Sequence, residues 1–158
     1  MDRETRLAKY GPTLVAAYVR YGLPGAWGVG LARQESDFDP SAKNLEGGDA
    51  KRGGSFGLCQ VTLLTARSLR GDGVTPEMLC DASFNADVSA ELVAQLRDRY
   101  RGVLSDVLAA YNSGKPWAHA PPRTQKVYVP NIIKHIHHYA RWAQDEEARC
   151  RAQRSLTG

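Results

Sequence analysis

Apolar residues recur at helical spacing in six stretches of this chain and alternate at strand spacing in none, and the longest lapse in the pattern runs from Asp37 to Ser55. That arrangement constrains the fold more than any other feature. A chain of 158 residues can bury one core but not two comfortable ones. The expected architecture is mostly α, with about six helices around a single core and a small irregular or hairpin lobe at 37–55.

Pro12 suits the first position of a helix running to about Tyr21, with Leu14, Val15, Tyr18 and Val19 as its buried stripe. Gly22 stops it, and Pro24 opens a second helix that reaches Ser36. Beyond the lobe, a brief helix is expected from Leu63 to Leu69, closed by the Gly71-Asp72-Gly73 turn. Asn85 is placed to cap a helix through Tyr100, and another from Val103 to Asn112 ends at Gly114. The last runs to about Ala143 on Val129, Ile132, Ile133, Ile136 and Tyr139, with Pro130 opening or kinking it. Past Gln144 the chain turns polar, so residues 1–143 are expected to form the domain and 144–158 a frayed tail.

Within this frame Glu35 stands out. Trp27, Leu31 and Glu35 fall at i, i+4 and i+8, so they share one face of the second helix, and the rest of that face is apolar. A carboxyl held against Trp and Leu loses hydration, which raises its pKa toward the range a general acid needs near neutral pH. The bland alternative is a solvated glutamate at a helix end. A groove between the lobe and the helices would have Glu35 at its lip.

Charge narrows the partners only partly. Lys and Arg number 21 against 17 Asp and Glu, and the resulting net charge of +4 suits an anionic polymer without identifying it. The excess thickens only near Arg149, Arg151 and Arg154, with no interleaved aromatics for stacking bases, so no nucleic-acid partner is expected. No apolar run approaches the ~20 residues that cross a bilayer, so no integral membrane segment is expected. Met1 to Tyr10 lacks an apolar signal core, and no secretory signal is expected there. The cysteines are Cys59, Cys80 and Cys150, an odd number without CxxC spacing, which argues against a disulfide framework. Cys59 lies in the apolar stretch from Phe56 to Leu64 and reads as a small buried hydrophobe, with a nucleophile as the sharper alternative.

Four separated elements then line up: Glu35-Ser36 followed by Phe38 and Pro40, Gly57-Leu58-Cys59-Gln60, Ala110-Tyr111-Asn112 followed by Ser113-Gly114, and Tyr128-Val129. Together, over about residues 12–140, they resemble the lytic transglycosylase family with the soluble-transglycosylase type of catalytic domain, itself related to goose-type lysozymes. The resemblance implies a lysozyme-like helical domain that cleaves the β-1,4 bond between N-acetylmuramic acid and N-acetylglucosamine in peptidoglycan. It implies Glu35 as the catalytic acid, which then acts as base on the muramoyl C6 hydroxyl so that a 1,6-anhydro ring closes in place of attack by water. The substrate's acetamido oxygen would stabilise the charge that a second carboxylate supplies elsewhere.

By the same resemblance Ser36, Asn44, Gln60, Tyr111, Asn112 and Tyr128 are expected to contact substrate. Gln60 and Asn112 offer amide donors and acceptors, and the tyrosines offer a hydroxyl or a ring face. Tyr111 could equally be core, and Ser36 could cap backbone. The chain departs from the family's pattern at Asn44, where serine is frequent, at Cys59, where methionine is usual, and at Thr124, where a second glutamate is common. Its segment between Asn44 and Gly57 is also longer.

That segment, with Gly48-Asp49 followed by Gly53, Gly54, Phe56 and Gly57, is similar to the goose-type lysozyme loop. Asp49 is therefore a candidate second carboxylate, activating water across the cleft at the inverting separation of roughly 6.5 to 9.5 Å, or else a turn residue. A second lysozyme-type aspartate would fall at Thr62. A third possibility is a catalytically silent wall-binding or virion structural module that keeps the fold. His135, His137 and His138 cluster without a carboxylate or Cys at a matching spacing, so no metal and no cofactor is expected. The implied partner is the peptidoglycan glycan strand, met at the bacterial wall in the periplasm or outside the cell. A monomer or a module of a larger assembly is expected, and a phage virion or lysis enzyme is one setting.

Overall fold

The computed structural model describes all 158 residues. Helix α1 spans Arg3–Arg20 and begins at Asp2, whose carboxylate accepts the Thr5 N–H at 2.9 Å. Pro12, expected to open this helix, lies inside it. An interior proline costs about 3 kcal/mol in an isolated helix. Here the first turns are held by apolar packing: Leu7, Tyr10 and Trp142 join the rim of the core, and Gly11 lies so close beneath Trp142 that a Cβ would stand 2.3 Å from its ring.

Helix α2 spans Gly25–Ser36, and α8 spans Val129–Thr157. α2 runs between α1 and α8, and its glycines allow the close approach. A Cβ at Gly28 would stand 2.6 Å from the Tyr18 ring, and one at Gly30 would stand 2.6 Å from Ile136. Val29, Leu31 and Ala32 of α2 are fully enclosed in the resulting core.

The lobe is a three-stranded antiparallel sheet of two-residue strands, β1 Lys43–Asn44, β2 Ser55–Phe56 and β3 Val61–Thr62, with the single helical turn α3 Gly47–Ala50 between the first two. Asn44 stands opposite Ser55, and Ser55 opposite Thr62. Strands this short carry no alternation, and β3 extends the lobe beyond residue 55. Helix α4 covers Leu63–Arg70, α5 Pro76–Leu79, α6 Ala82–Arg99 and α7 Leu104–Ser113. The count is eight helices rather than about six because α3 and α5 are single turns of four residues each.

Two boundaries differ from expectation. Asp81, not Asn85, caps α6, accepting the Phe84 N–H at 2.8 Å, and Asn85 is buried one turn further on. Helix α8 does not stop near Ala143. Ala143 and Glu146 are buried, and the Glu147 carboxylate accepts the Gly25 N–H at 2.8 Å, capping α2 at the positive end of its dipole. No helix is long and apolar enough to cross a membrane.

Candidate active site

Glu35 sits in the last turn of α2, which ends in left-handed backbone at Asp37 (φ 54°) and Phe38 (φ 61°). Phe38 is fully buried and meets the Tyr139 ring edge-on at 5.8 Å, which anchors this turn to α8. The Asp37 carboxylate receives Arg3 at 2.7 Å and Arg33 at 3.1 Å. The chain direction after Glu35 is thus fixed from both sides.

Glu35 is partly buried and lines a polar cleft of about 350 Å³ between the lobe and the helices. Burial pushes its carboxyl up from the ordinary 4.5 to about 7. The Tyr128 hydroxyl, which donates to Glu35 Oε1, pulls the other way by favouring the carboxylate, and the nearby charge of Asp49 adds to the rise. Tyr128 closes a π-helical turn, Thr124–Tyr128, that runs directly into α8. Its ring is buried, and burial together with Glu35 holds its phenol well above the ordinary value, so it stays a donor.

The Gly57–Gln60 turn forms the floor beside Glu35. Asn85 holds it with all three of its strong bonds, accepting from the Cys59 N–H at 2.9 Å and donating to the Phe56 carbonyl at 2.8 Å and the Leu79 carbonyl at 2.9 Å. Gly57 has φ 78°, and a Cβ there would stand 2.2 Å from the Leu79 oxygen. A chain of hydroxyls reaches the same turn from the core. Tyr111 donates to the Cys59 carbonyl at 2.7 Å, so Ser89 donates to Tyr111 at 3.2 Å and Tyr18 to Ser89 at 2.8 Å. Ser36 donates to the Leu58 carbonyl at 2.8 Å, tying α2 to the turn.

Among the residues singled out in the sequence, Glu35, Asn44, Asp49, Gln60, Tyr111 and Asn112 come together on the cleft wall. Tyr128 reaches it through Glu35, whereas Ser36 points its hydroxyl at backbone. Gln60, itself at φ 48°, spends its amide N–H groups on the Ala42 and Gly57 carbonyls. Asn112 accepts from Thr124 at 2.7 Å through Oδ1, which leaves its Nδ2 available to the cleft. Asp49 Oδ2 accepts from Asn44 and from Ser55, each at 2.9 Å, and so ties α3 to β1 and β2.

Sequence reasoning did not single out Lys43, Arg52 and Ser55, which also line the cleft. Lys43 and Ser55 are placed by the lobe's strand register and Arg52 by the turn before β2, for which the sequence holds no periodic signal. Cys59 is fully buried, and burial pushes its thiol up to about 12, which leaves it a packing residue. All three cysteines are free. No group of three His, Cys, Asp or Glu side chains gathers where it could hold a metal ion.

A half-buried acid on the wall of a polar cleft, within a mostly helical lysozyme-like domain, defines the class of protein. The family model of the transglycosylase SLT domain matches residues 14–125, more than two thirds of the chain. The chain belongs to that family, the lytic transglycosylases, whose lytic activity is directed at the peptidoglycan of the cell wall. Comparison with curated proteins finds no match.

Proposed function

We propose that the protein cleaves the MurNAc-β-1,4-GlcNAc bond with Glu35 as both acid and base, leaving 1,6-anhydro-MurNAc ends. The observation that carries this reading is a cleft carboxyl held near pH 7 and hydrogen-bonded by a buried tyrosine. A carboxyl in that range is substantially protonated at neutral pH and can give its proton to the departing glycosidic oxygen. As the glycosidic bond breaks, the substrate's own acetamido oxygen stabilises the charge at C1. The carboxylate left behind, favoured by the Tyr128 hydroxyl, takes the proton of the muramoyl C6 hydroxyl, and O6 bonds to C1 to close the ring. Water is not consumed. Asn112 presents its Nδ2 to the sugar substituents, while Gln60, whose amide N–H groups are held by the Ala42 and Gly57 carbonyls, and Tyr111 support the floor under them.

A second reading, hydrolysis with Asp49 activating water, draws support from Asp49 lining the same cleft. Against it stands the engagement of Asp49 Oδ2 by two neutral donors that organise the lobe. The reaction belongs at the bacterial wall, in the periplasm or outside the cell, and a phage virion or lysis enzyme is one setting that fits.

The test is digestion of purified sacculi followed by mass spectrometry of the released muropeptides. Anhydro ends are expected from the wild type and none from Glu35→Gln. Hydrated reducing ends would move the assignment to the hydrolase. Equal inactivity of wild type and variant, with wall binding retained in both, would make the domain a binding module.

A further inference from the structure

Two cations line the lobe side of the Glu35 cleft. Lys43 and Arg52 are exposed, and neither side chain forms an ion pair. Arg52 follows Asp49 by three residues yet forms no ion pair with it, and Asp49 Oδ2 instead accepts from Asn44 and Ser55. The Arg52 backbone is fixed, its N–H donating to the Asp49 carbonyl at 2.9 Å and its carbonyl accepting from Leu64 at 3.0 Å. Its side chain extends from the lobe toward the opposite wall, where Nη2 lies 3.9 Å from the place a Cβ on Gly114 would occupy, at the C-terminal end of α7. An exposed guanidinium on a fixed backbone, beside a cleft and in no ion pair, is arranged for an anion that arrives with the ligand.

The ligand's chemistry says which anion. The sugar rings of a wall glycan carry hydroxyl and acetamido groups, all neutral. Acid enters only through the muramoyl lactyl group, either as its own carboxylate or through the carboxylates of a peptide joined to it. A planar guanidinium pairs with a carboxylate through two parallel N–H bonds, and a lysine ammonium adds a second positive charge. We propose that Arg52, assisted by Lys43, forms a carboxylate subsite that recognises the acidic substituent of the muramoyl residue. This rests on the reading of the cleft as the peptidoglycan site, and it gives that site a means of distinguishing muramoyl glycan from neutral polymers of N-acetylglucosamine.

The experiment compares wild type, Arg52→Ala and Arg52→Lys on two substrates. One is glycan strands bearing stem peptides, and the other is the same strands stripped by an amidase, which leaves the lactyl carboxylate free. Chitohexaose, which has no carboxylate, serves as a binding probe in titration calorimetry. Arg52→Ala should raise KM about tenfold on the form whose carboxylate is read, with a smaller change in kcat, and Arg52→Lys should recover part of the loss. A loss confined to peptide-bearing strands identifies the stem peptide as the source, and one confined to stripped strands identifies the lactyl group. The loss should exceed any change in chitohexaose affinity by about the same factor. Wild-type KM on both strand forms in Arg52→Ala would overturn the proposal, as would an equal loss with chitohexaose. Were the wild type to cleave neither form, the proposed reaction would be at fault. Calorimetric affinities for the two strand forms against chitohexaose would then still decide the role of Arg52.

Discussion

Replacing Glu35 by Gln should stabilise the protein, and by an amount that depends on pH in a calculable way. The folded protein holds the Glu35 proton up to about pH 7, while an unfolded glutamate releases it near 4.5. Between those values the folded state binds more protons than the unfolded state, so stability falls as pH rises from 4.5 toward 7 and levels off above. At 1.36 kcal/mol per pH unit, the deficit reaches about 3 kcal/mol by pH 8. Gln carries no charge to desolvate and can still accept the Tyr128 hydroxyl. Any fixed effect of the substitution, such as an amide N–H without an acceptor, is equal at every pH and cancels when pH values are compared. Urea unfolding of both proteins at pH 4, 6 and 8 measures the quantity. The stability of Glu35→Gln relative to wild type should rise by about 3 kcal/mol between pH 4 and pH 8. A difference that stays constant across that range, or moves the other way, would show Glu35 to be an ordinary solvated carboxylate and would refute the burial argument.

Tyr128→Phe removes the donor that favours the Glu35 carboxylate, so the alkaline fall of kcat/KM should move up by about one pH unit, from near neutrality toward pH 8, and a profile that stays put or shifts down would contradict this. Asn85→Ala leaves the Cys59 N–H and the Phe56 and Leu79 carbonyls without their buried partner, which should cost about 3 kcal/mol or more in urea unfolding and reduce activity with it. Peptide mapping after alkylation of the native protein at pH 8 should find Cys80 and Cys150 modified before Cys59, whose fully buried thiol is pushed up to about 12 and should react only on unfolding.

Helical periodicity made much of this fold legible in the sequence. The face of Trp27, Leu31 and Glu35 could be read because α2 is buried along that side, and the separated motifs brought Gln60, Tyr111 and Asn112 to the same cleft. What could not be read has one physical cause, that tertiary contacts override a local preference. Asn85 has the composition of a cap, but its amide is drawn inward by three backbone groups from elsewhere in the chain. Pro12 resembles a helix start, yet packing around Gly11 and Trp142 carries α1 through it. The polar run after Gln144 resembles a tail, but it continues α8, and Glu147 accepts the Gly25 N–H at the start of α2. The same holds at the site. The hydroxyls of Ser36 and Tyr111 satisfy carbonyls of the Gly57–Gln60 turn, a role that spacing does not reveal. Lys43 reaches the cleft from a strand of two residues and Arg52 from the turn before β2, segments too short to leave a pattern.

The central claim is that one carboxyl serves both proton transfers and that the C6 hydroxyl takes the place of water. Digestion of purified glycan strands in water enriched in oxygen-18 tests it most directly. The account predicts muramoyl ends that carry no label and are lighter by one water than hydrolysed ends. Label at C1 of the new muramoyl ends would contradict it and would place a water molecule in the reaction that Glu35 begins.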